Sequence, residues 1–273
     1  MKDGILRALR TLRCLGFADR CRLLFERAAG AAANRRFARE NPSFQTPPAG
    51  LAFEAYNTTG REWYFESGRR HARMFWHLGS KRQGDGARPV RILEWGCGPG
   101  RIIRHLREAA GDRPLTIVGS DVDSDSLAWC RQHLEGIDFR LHGPSPPMPA
   151  GDGDFDLVYC YSVFTHLSEE RQLEWARELH RLIAPGGLLI ATTHGDHYLP
   201  RLSRRERMRY EAGEVVIQGG YREGRKWYLA LHPPAFVRDC LLRPFGVVEH
   251  YPSPGEWSEA QDVWIAAKPS RPG

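Results

Sequence analysis

Val90-Arg91-Ile92-Leu93-Glu94-Trp95 runs directly into Gly96-Cys97-Gly98-Pro99-Gly100, and Ile102 to Ala110 then carry apolar residues at helical spacing. An apolar run of strand length, a glycine-rich turn and an amphipathic helix open an α/β unit. Glycines at that junction let the backbone turn sharply and leave room for a ligand against the helix N-terminus. Such a loop alone serves nucleotide sites of several kinds. Three residues narrow the choice. Arg101 stands where the dinucleotide fingerprint asks for its third glycine, so the spacing is G-x-G-x-G, against a nicotinamide cofactor. Glu94 puts a carboxylate at the end of the first strand, where it repels a pyrophosphate and attracts a cation. Asp121 ends the second strand, where an acidic side chain can accept both hydroxyls of a ribose. The alternative for Asp121 is a helix-entry cap, for which Asp123 and Ser124 also qualify.

Outward from this stretch the alternation of strand and helix continues, which predicts a parallel sheet with helices on both faces. Expected strands are Val90–Trp95, Thr116–Ser120, Asp138–Leu141, Phe155–Tyr161 and Leu188–Thr193. The expected helices between them cover Ile102–Ala110, Ser124–Leu134 and a segment capped by Ser168 that stops at Pro185-Gly186-Gly187. A basic stretch and a hairpin over Val215–Leu231 interrupt the rhythm as a cap insertion at about residues 198–232. A helix from Pro234 to about Leu242 follows. The last strands, Gly246–Tyr251 and Asp262–Ala267, are joined by a turn too short for a helical crossover and so pair antiparallel. Residues 61–273 thus form one domain. Residues 1–60 form an N-terminal basic helical extension and linker, the linker read from Pro42, Pro47, Pro48 and Gly50. An aromatic helix from Glu62 to Leu78 reads as core, with a part in roofing the site as the alternative.

With these residues in view, the chain resembles the class I S-adenosylmethionine-dependent methyltransferase family. The acidic residue and G-x-G-x-G of Glu94, Gly96, Gly98 and Gly100 match its first motif, and Asp121 its second. Phe155-Asp156-Leu157-Val158 and the run from Leu179 to Gly187 resemble its fourth- and fifth-strand landmarks. The resemblance covers about Val90 to Thr193. It implies a Rossmann-like fold whose seven-stranded sheet is mostly parallel with an antiparallel C-terminal strand. It also implies S-adenosylmethionine, a cation without phosphate, as cofactor. Glu94 through Gly100 would contact its methionine part, with Cys97 a small residue that fits the loop. Asp121 and Val122 would take the ribose and adenine side, and Tyr161 would lie beside the cofactor. Where the family often has an acidic adenine contact after strand three, this chain reads His142-Gly143-Pro144.

Methyl transfer from a sulfonium requires alignment of the acceptor and, for a hydroxyl, removal of a proton. Open α/β sheets place such an acceptor beyond the carboxyl ends of strands four and five. His166 and His194 stand there and are the candidate general bases, with Tyr161, His197 or no dedicated base as alternatives. Ser162–Leu167, Thr192–Gly195 and Gln261-Asp262-Val263 together look like bacterial methyltransferases of polysaccharide or small-molecule modification. That implies O-methylation of a sugar or other hydroxylated small molecule. N-methylation of a small amine or protein side chain, and a non-catalytic cofactor-binding regulator, are the alternatives. No clustered metal-ligand set is evident. Arg201, Arg204, Arg205, Arg207 and Arg209 form either a solvated helix face or a closing segment for an anionic acceptor.

The formal charge of +6 is local, since residues 1–40 hold ten Lys/Arg and four Asp/Glu, leaving 29 of each sign elsewhere. A nucleic-acid substrate is not expected from that balance, and strand four lacks the Asn/Asp-Pro-Pro-aromatic signature of DNA adenine methylation. Ile5, Leu6, Leu9, Leu12 and Leu15 recur at helical spacing over residues 4–16, with Arg7, Arg10 and Arg13 opposite. This basic helix is a candidate for subunit or membrane-surface contact. Six scattered cysteines, no apolar run of membrane length and no signal-peptide pattern lead to the expectation of a cytoplasmic protein.

Overall fold

The structure is a computed structural model and describes residues 15–81, 88–218 and 223–270. Of the helix expected over residues 4–16, residues 4–14 lie outside the described ones. The chain divides after Ser67 into two compact units.

The N-terminal unit contains α1 (Leu15–Ala29), α2 (Ala31–Glu40), α3 (Ala49–Tyr56) and the first residues of α4 (Arg61–Ser80). The expected linker over 41–60 therefore carries a helix. Pro48 sits at its N-cap, where a missing N–H costs no intrahelical bond, and Asn57 ends it in the left-handed region at φ 58°. Asn34 ties the unit together: its Nδ2 donates to the Thr59 carbonyl at 3.0 Å, and its Oδ1 accepts from the Arg61 N–H at 2.9 Å. Phe37, Phe44 and Phe65 pack at centroid distances of 4.8–6.0 Å. Tyr64 and Phe65 of the aromatic stripe thus pack in this unit, while Trp63 is exposed.

In the second unit, β1 (Val90–Trp95) leads through a short 3₁₀ turn to α5 (Leu106–Ala110), then β2 (Leu115–Asp121), α6 (Ser124–His133) and β3 (Asp138–Leu141). β4 (Phe155–Cys160), α7 (Glu169–Leu182) and β5 (Ile183–Thr193) follow. Next come α8 (Arg204–Glu211), the two-stranded pair β6 (Val216–Gln218) and β7 (Leu229–Leu231), then β8 (Gly246–Tyr251) and β9 (Asp262–Ala267). The seven-stranded order is β3-β2-β1-β4-β5-β9-β8. β9 runs antiparallel to both neighbours, β5 and β8, so the mostly parallel Rossmann-like sheet with an antiparallel C-terminal strand is as expected.

Three local expectations are corrected. The helix after the glycine loop is split, with Ile103–His105 in a 3₁₀ turn before α5. β5 begins at Ile183, five residues early, and carries Pro185-Gly186-Gly187 inside it. Gly186, at φ +79°, lies where the pairing register with β4 shifts. The segment after Pro233 is one α turn followed by a π turn, Val237–Leu241.

One face of the sheet is closed by Leu93, Trp95, Val118, Val158, Leu189 and Trp264 against Trp175, Leu179 and Leu182 of α7. The later part of α4 carries Phe75, stacked on Tyr159 at 4.3 Å, and Gly79, where an added Cβ would lie 2.6 Å from Leu157. Opposite the site, at the amino end of β4, buried Asp156 receives both nitrogens of the Arg88 fork at 2.8 and 3.0 Å, together with the Arg91 side chain and backbone.

Candidate functional site

The glycine loop leaves the carboxyl end of β1 and is held by the end of β2, while the ends of β4 and β5 meet at Ser162 and Thr192. Gly96, Gly98 and Gly100 take φ of 77°, 50° and 74°, a region that side chains with a Cβ avoid. The loop's amides are already spent. Gly96 and Cys97 donate to the Ser120 carbonyl at 2.8 and 2.9 Å, Gly100 donates to Cys97 at 3.0 Å, and Gly98 donates to Asp121 Oδ2 at 2.7 Å. A pyrophosphate would find those donors occupied and two carboxylates beside it, which argues against the dinucleotide reading on geometry as well as on spacing.

Asp121 also accepts from the Asp123 N–H at 2.9 Å, and burial raises its pKa. Asp123, not Asp121, caps α6 through the Ser126 N–H. Asp121 therefore binds the loop to the end of β2, and its immediate neighbour Val122 stays 50% exposed. Leu141, paired with Asp121 across β3, is 49% exposed. These two apolar side chains flank the carboxylate on its strand ends. His142, next in the chain, is buried; its Nδ1 lies 2.7 Å from the Gly143 carbonyl, while its Nε2 has no hydrogen-bond partner among the described residues.

Glu94 lies deeper. It accepts from the Tyr159 hydroxyl at 2.9 Å and from the Ile103 backbone, yet burial carries its pKa up to about 8, only partly opposed by Arg101. Arg101 is buried too, with Nη1 2.8 Å from His71 Nδ1 and its guanidinium carbon 5.1 Å from the Tyr161 ring centre. Burial and then the Arg101 charge drive the His71 pKa down to about 2, so the imidazole is neutral and its Nδ1 accepts from Arg101. His71 and Tyr161 face each other at 4.4 Å. An added Cβ on Gly68 would meet the Arg101 carbonyl at 2.0 Å, so glycine is what lets α4 approach this loop. Cys97 is buried, and burial keeps its thiol protonated. Among the described residues no group of histidine, cysteine and carboxylate side chains is arranged to hold a metal.

These residues fit S-adenosylmethionine. The buried Glu94 carboxyl would be ionised by a cation beside it, the strand-end Asp121 and exposed Val122 and Leu141 suit a nucleoside, and His142 presents an unpartnered buried nitrogen beside them.

On the acceptor side, Ser162 follows β4 in the left-handed region at φ 64°. Its N–H donates to Thr192 Oγ1 at 2.8 Å, which donates in turn to Gln261 Oε1 at 2.6 Å. The Gln261 amide then reaches Ser162 Oγ at 2.9 Å and His194 Nε2 at 3.3 Å. Gln261 thus ties together the ends of β4, β5 and β9. The His194 ring is buried, its lone pair at Nε2 faces that amide, and burial followed by the charges of His232 and His166 pushes its pKa well below the usual imidazole value. His166 is different: its Nδ1 lies 2.7 Å from the Tyr228 carbonyl, so Nδ1 carries the proton and Nε2 keeps its lone pair. Burial lowers its pKa. The Tyr198 ring lies tilted against His194 at a centroid distance of 4.1 Å, and the Arg201 guanidinium stands 4.6 Å from the Tyr198 ring centre.

Sequence reading singled out Glu94, Gly96, Cys97, Gly98, Gly100, Asp121 and Val122, and the structure gathers them around the loop. It missed Arg101 as a buried cation, and it missed His71, Tyr159 and Tyr198. Arg101 carried a signal, a lone charge directly after the loop. His71 and Tyr159 carried none, because their roles depend on α4 and β4 lying against the loop.

Residues 92–187 match the family described as a methyltransferase domain. Together with the sheet built around that stretch, this match supports a class I S-adenosylmethionine-dependent methyltransferase. It is similar to N-demethylindolmycin N-methyltransferase of Streptomyces griseus, 32% identical over 110 residues that cover 38% of this chain and 45% of that one. It is also similar to malonyl-[acyl-carrier protein] O-methyltransferase of Enterobacter lignolyticus, 30% identical over 113 residues, 41% of this chain and 42% of the relative. The chain thus spans less than half the length of these curated relatives. The fold is shared with 1,6-didemethyltoxoflavin-N1-methyltransferase of Burkholderia thailandensis at a TM-score of 0.51 and 18% identity, over 77% of this chain and 82% of that one.

Proposed function

We propose that this chain methylates a hydroxyl group of a sugar or other hydroxylated small molecule. The observation that carries the reading is His166, whose donated Nδ1 proton fixes the tautomer and leaves Nε2 as an acceptor for a hydroxyl proton. S-adenosylmethionine supplies the electrophilic methyl group. Glu94 and the glycine loop would hold its methionine end, Asp121 its ribose, and Val122 and Leu141 the flat face of its base. Tyr161, packed against Arg101 and His71, would exclude water from the transfer axis.

Hydroxyl rather than amine is supported by charge. Arg201 stands over Tyr198 beside His194, so the acceptor side disfavours binding of a protonated amine. His194, with its lone pair facing Gln261, acts in this reading as a positioning residue, and His166 as the base. A screen with methyl-labelled donor against sugars, phenols, carboxylic acids and amines tests this. Label on hydroxyl oxygen is the expected result; label confined to amine nitrogen overturns the acceptor class, and cofactor binding without transfer to any of them favours a regulator.

A further inference from the structure

The described helix α1 turns an apolar face toward solvent. Cys21, Leu24, Phe25 and Ala28 recur at i, i+3, i+4 and i+7, which places them on one side of the helix. All four are exposed, Leu24 at 62% and Phe25 at 71%. The inward stripe is a poor one, with half-buried Asp19, Leu23 and Glu26. Arginines border the exposed apolar face on both sides: Arg20 and Arg27, one heptad apart, on one edge and Arg22 on the other. Arg22 leans on the Phe53 ring at 5.6 Å, while Arg20 and Arg27 are exposed.

An apolar stripe rimmed by cations matches one environment in particular. A bilayer surface bearing anionic headgroups offers hydrocarbon below and negative charge at the rim, in the same order across the helix. Residues 1–40 as a whole carry six more basic than acidic side chains, whereas the rest of the chain balances. No helix among the described residues is long and apolar enough to cross a membrane, so the contact is in the plane of the surface. We infer that α1 docks this protein onto anionic phospholipid, with Leu24 and Phe25 inserted and Arg20, Arg22 and Arg27 on the headgroups. The inference is independent of the acceptor.

Co-sedimentation of the full chain with phosphatidylcholine vesicles, with and without a third of phosphatidylglycerol, tests it. The chain should partition onto the anionic vesicles and be released by salt, since exposed charges are screened beyond about 8 Å at physiological ionic strength. Leu24→Glu with Phe25→Glu should weaken partition by roughly tenfold or more, and Arg20→Gln with Arg27→Gln by roughly fivefold per arginine. Helical content and S-adenosylmethionine affinity should be unchanged in both, because these side chains are exposed. Equal binding to neutral vesicles, no binding to anionic ones, or full binding by the Leu24/Phe25 variant overturns the inference. So does a wild-type dimer that the same variant splits in the absence of vesicle binding, which would assign the face to a second copy.

Discussion

The Tyr159 hydroxyl donates to Glu94 Oε2 at 2.9 Å in a fully buried pair, and this bond favours the ionised form of a carboxyl group that burial holds near pKa 8. The pair makes the cofactor pocket sensitive to pH in a definite direction.

Below about 8, the Glu94 carboxyl is mostly neutral in the free protein. A cation in the pocket favours the carboxylate, so S-adenosylmethionine affinity should rise with pH toward 8, by at most about tenfold per pH unit. Calorimetry between pH 6 and 9 measures the slope. Glu94→Gln should abolish the part due to this group, and Tyr159→Phe should move it to higher pH. A slope unchanged in Glu94→Gln would remove Glu94 from cation binding.

Asp121 already serves the Gly98 and Asp123 amides and, as proposed, also the ribose. Asp121→Ala should lower cofactor affinity about ten- to a hundredfold, the cost of losing a hydrogen bond to a charged group. Because Gly98 also loses its acceptor, order in the loop should fall, seen as faster amide exchange at Gly96–Gly100. Full affinity in Asp121→Ala would sink the ribose assignment.

The two histidines should separate kinetically. His166→Ala is expected to lose 10²–10⁴-fold in kcat with cofactor affinity retained, the usual contribution of a general base. With its pKa lowered by burial, His166 is neutral at pH 7 and, as the proposed base, should place the acid limb of the wild-type rate profile below 6.5. His194→Ala should instead raise the acceptor KM, since it removes a partner of Gln261 and Tyr198. Identical profiles in both variants would leave transfer to positioning alone.

Neutralising Arg201 should raise the acceptor KM for an anionic or hydroxylated substrate. Arg207 and Arg209 should matter little, since both are already paired, with Glu211 and Glu214 at 2.8 Å. Steady-state kinetics across ionic strength distinguishes them.

At the other end of the sheet, Asp156 has its pKa driven far down by Arg88 and Arg91. A depressed carboxyl contributes stability that is present above its unfolded value near 3.9 and is lost as pH falls through and below it. Asp156→Ala should cost about 1–3 kcal/mol at pH 7, discounted because both arginines are partly in water. Below about pH 4 the difference from wild type should shrink. Thermal unfolding at pH 7 and pH 3.5 checks both statements.

The sequence by itself determined the strand–loop–helix at Val90–Ala110, the succession of strands along the chain and the resemblance to class I methyltransferases. It did so because apolar runs of strand length and glycines at a turn are local requirements of the backbone, visible in neighbouring residues. Asp121 and Glu94 were legible for the same reason: each follows from its place at a strand end. The helix at Ala49–Tyr56 escaped because prolines before it read as breakers, although Pro48 only opens it. The tertiary structure alone decided which polar groups meet. Arg101 against His71 spans 30 residues, Tyr159 on Glu94 spans 65, and Gln261 on Ser162 spans 99. The same long-range packing set the pKa of Glu94 and turned one candidate histidine toward Gln261 and the other toward the Tyr228 carbonyl, because burial and partner are properties of the assembled sheet and not of any stretch of chain.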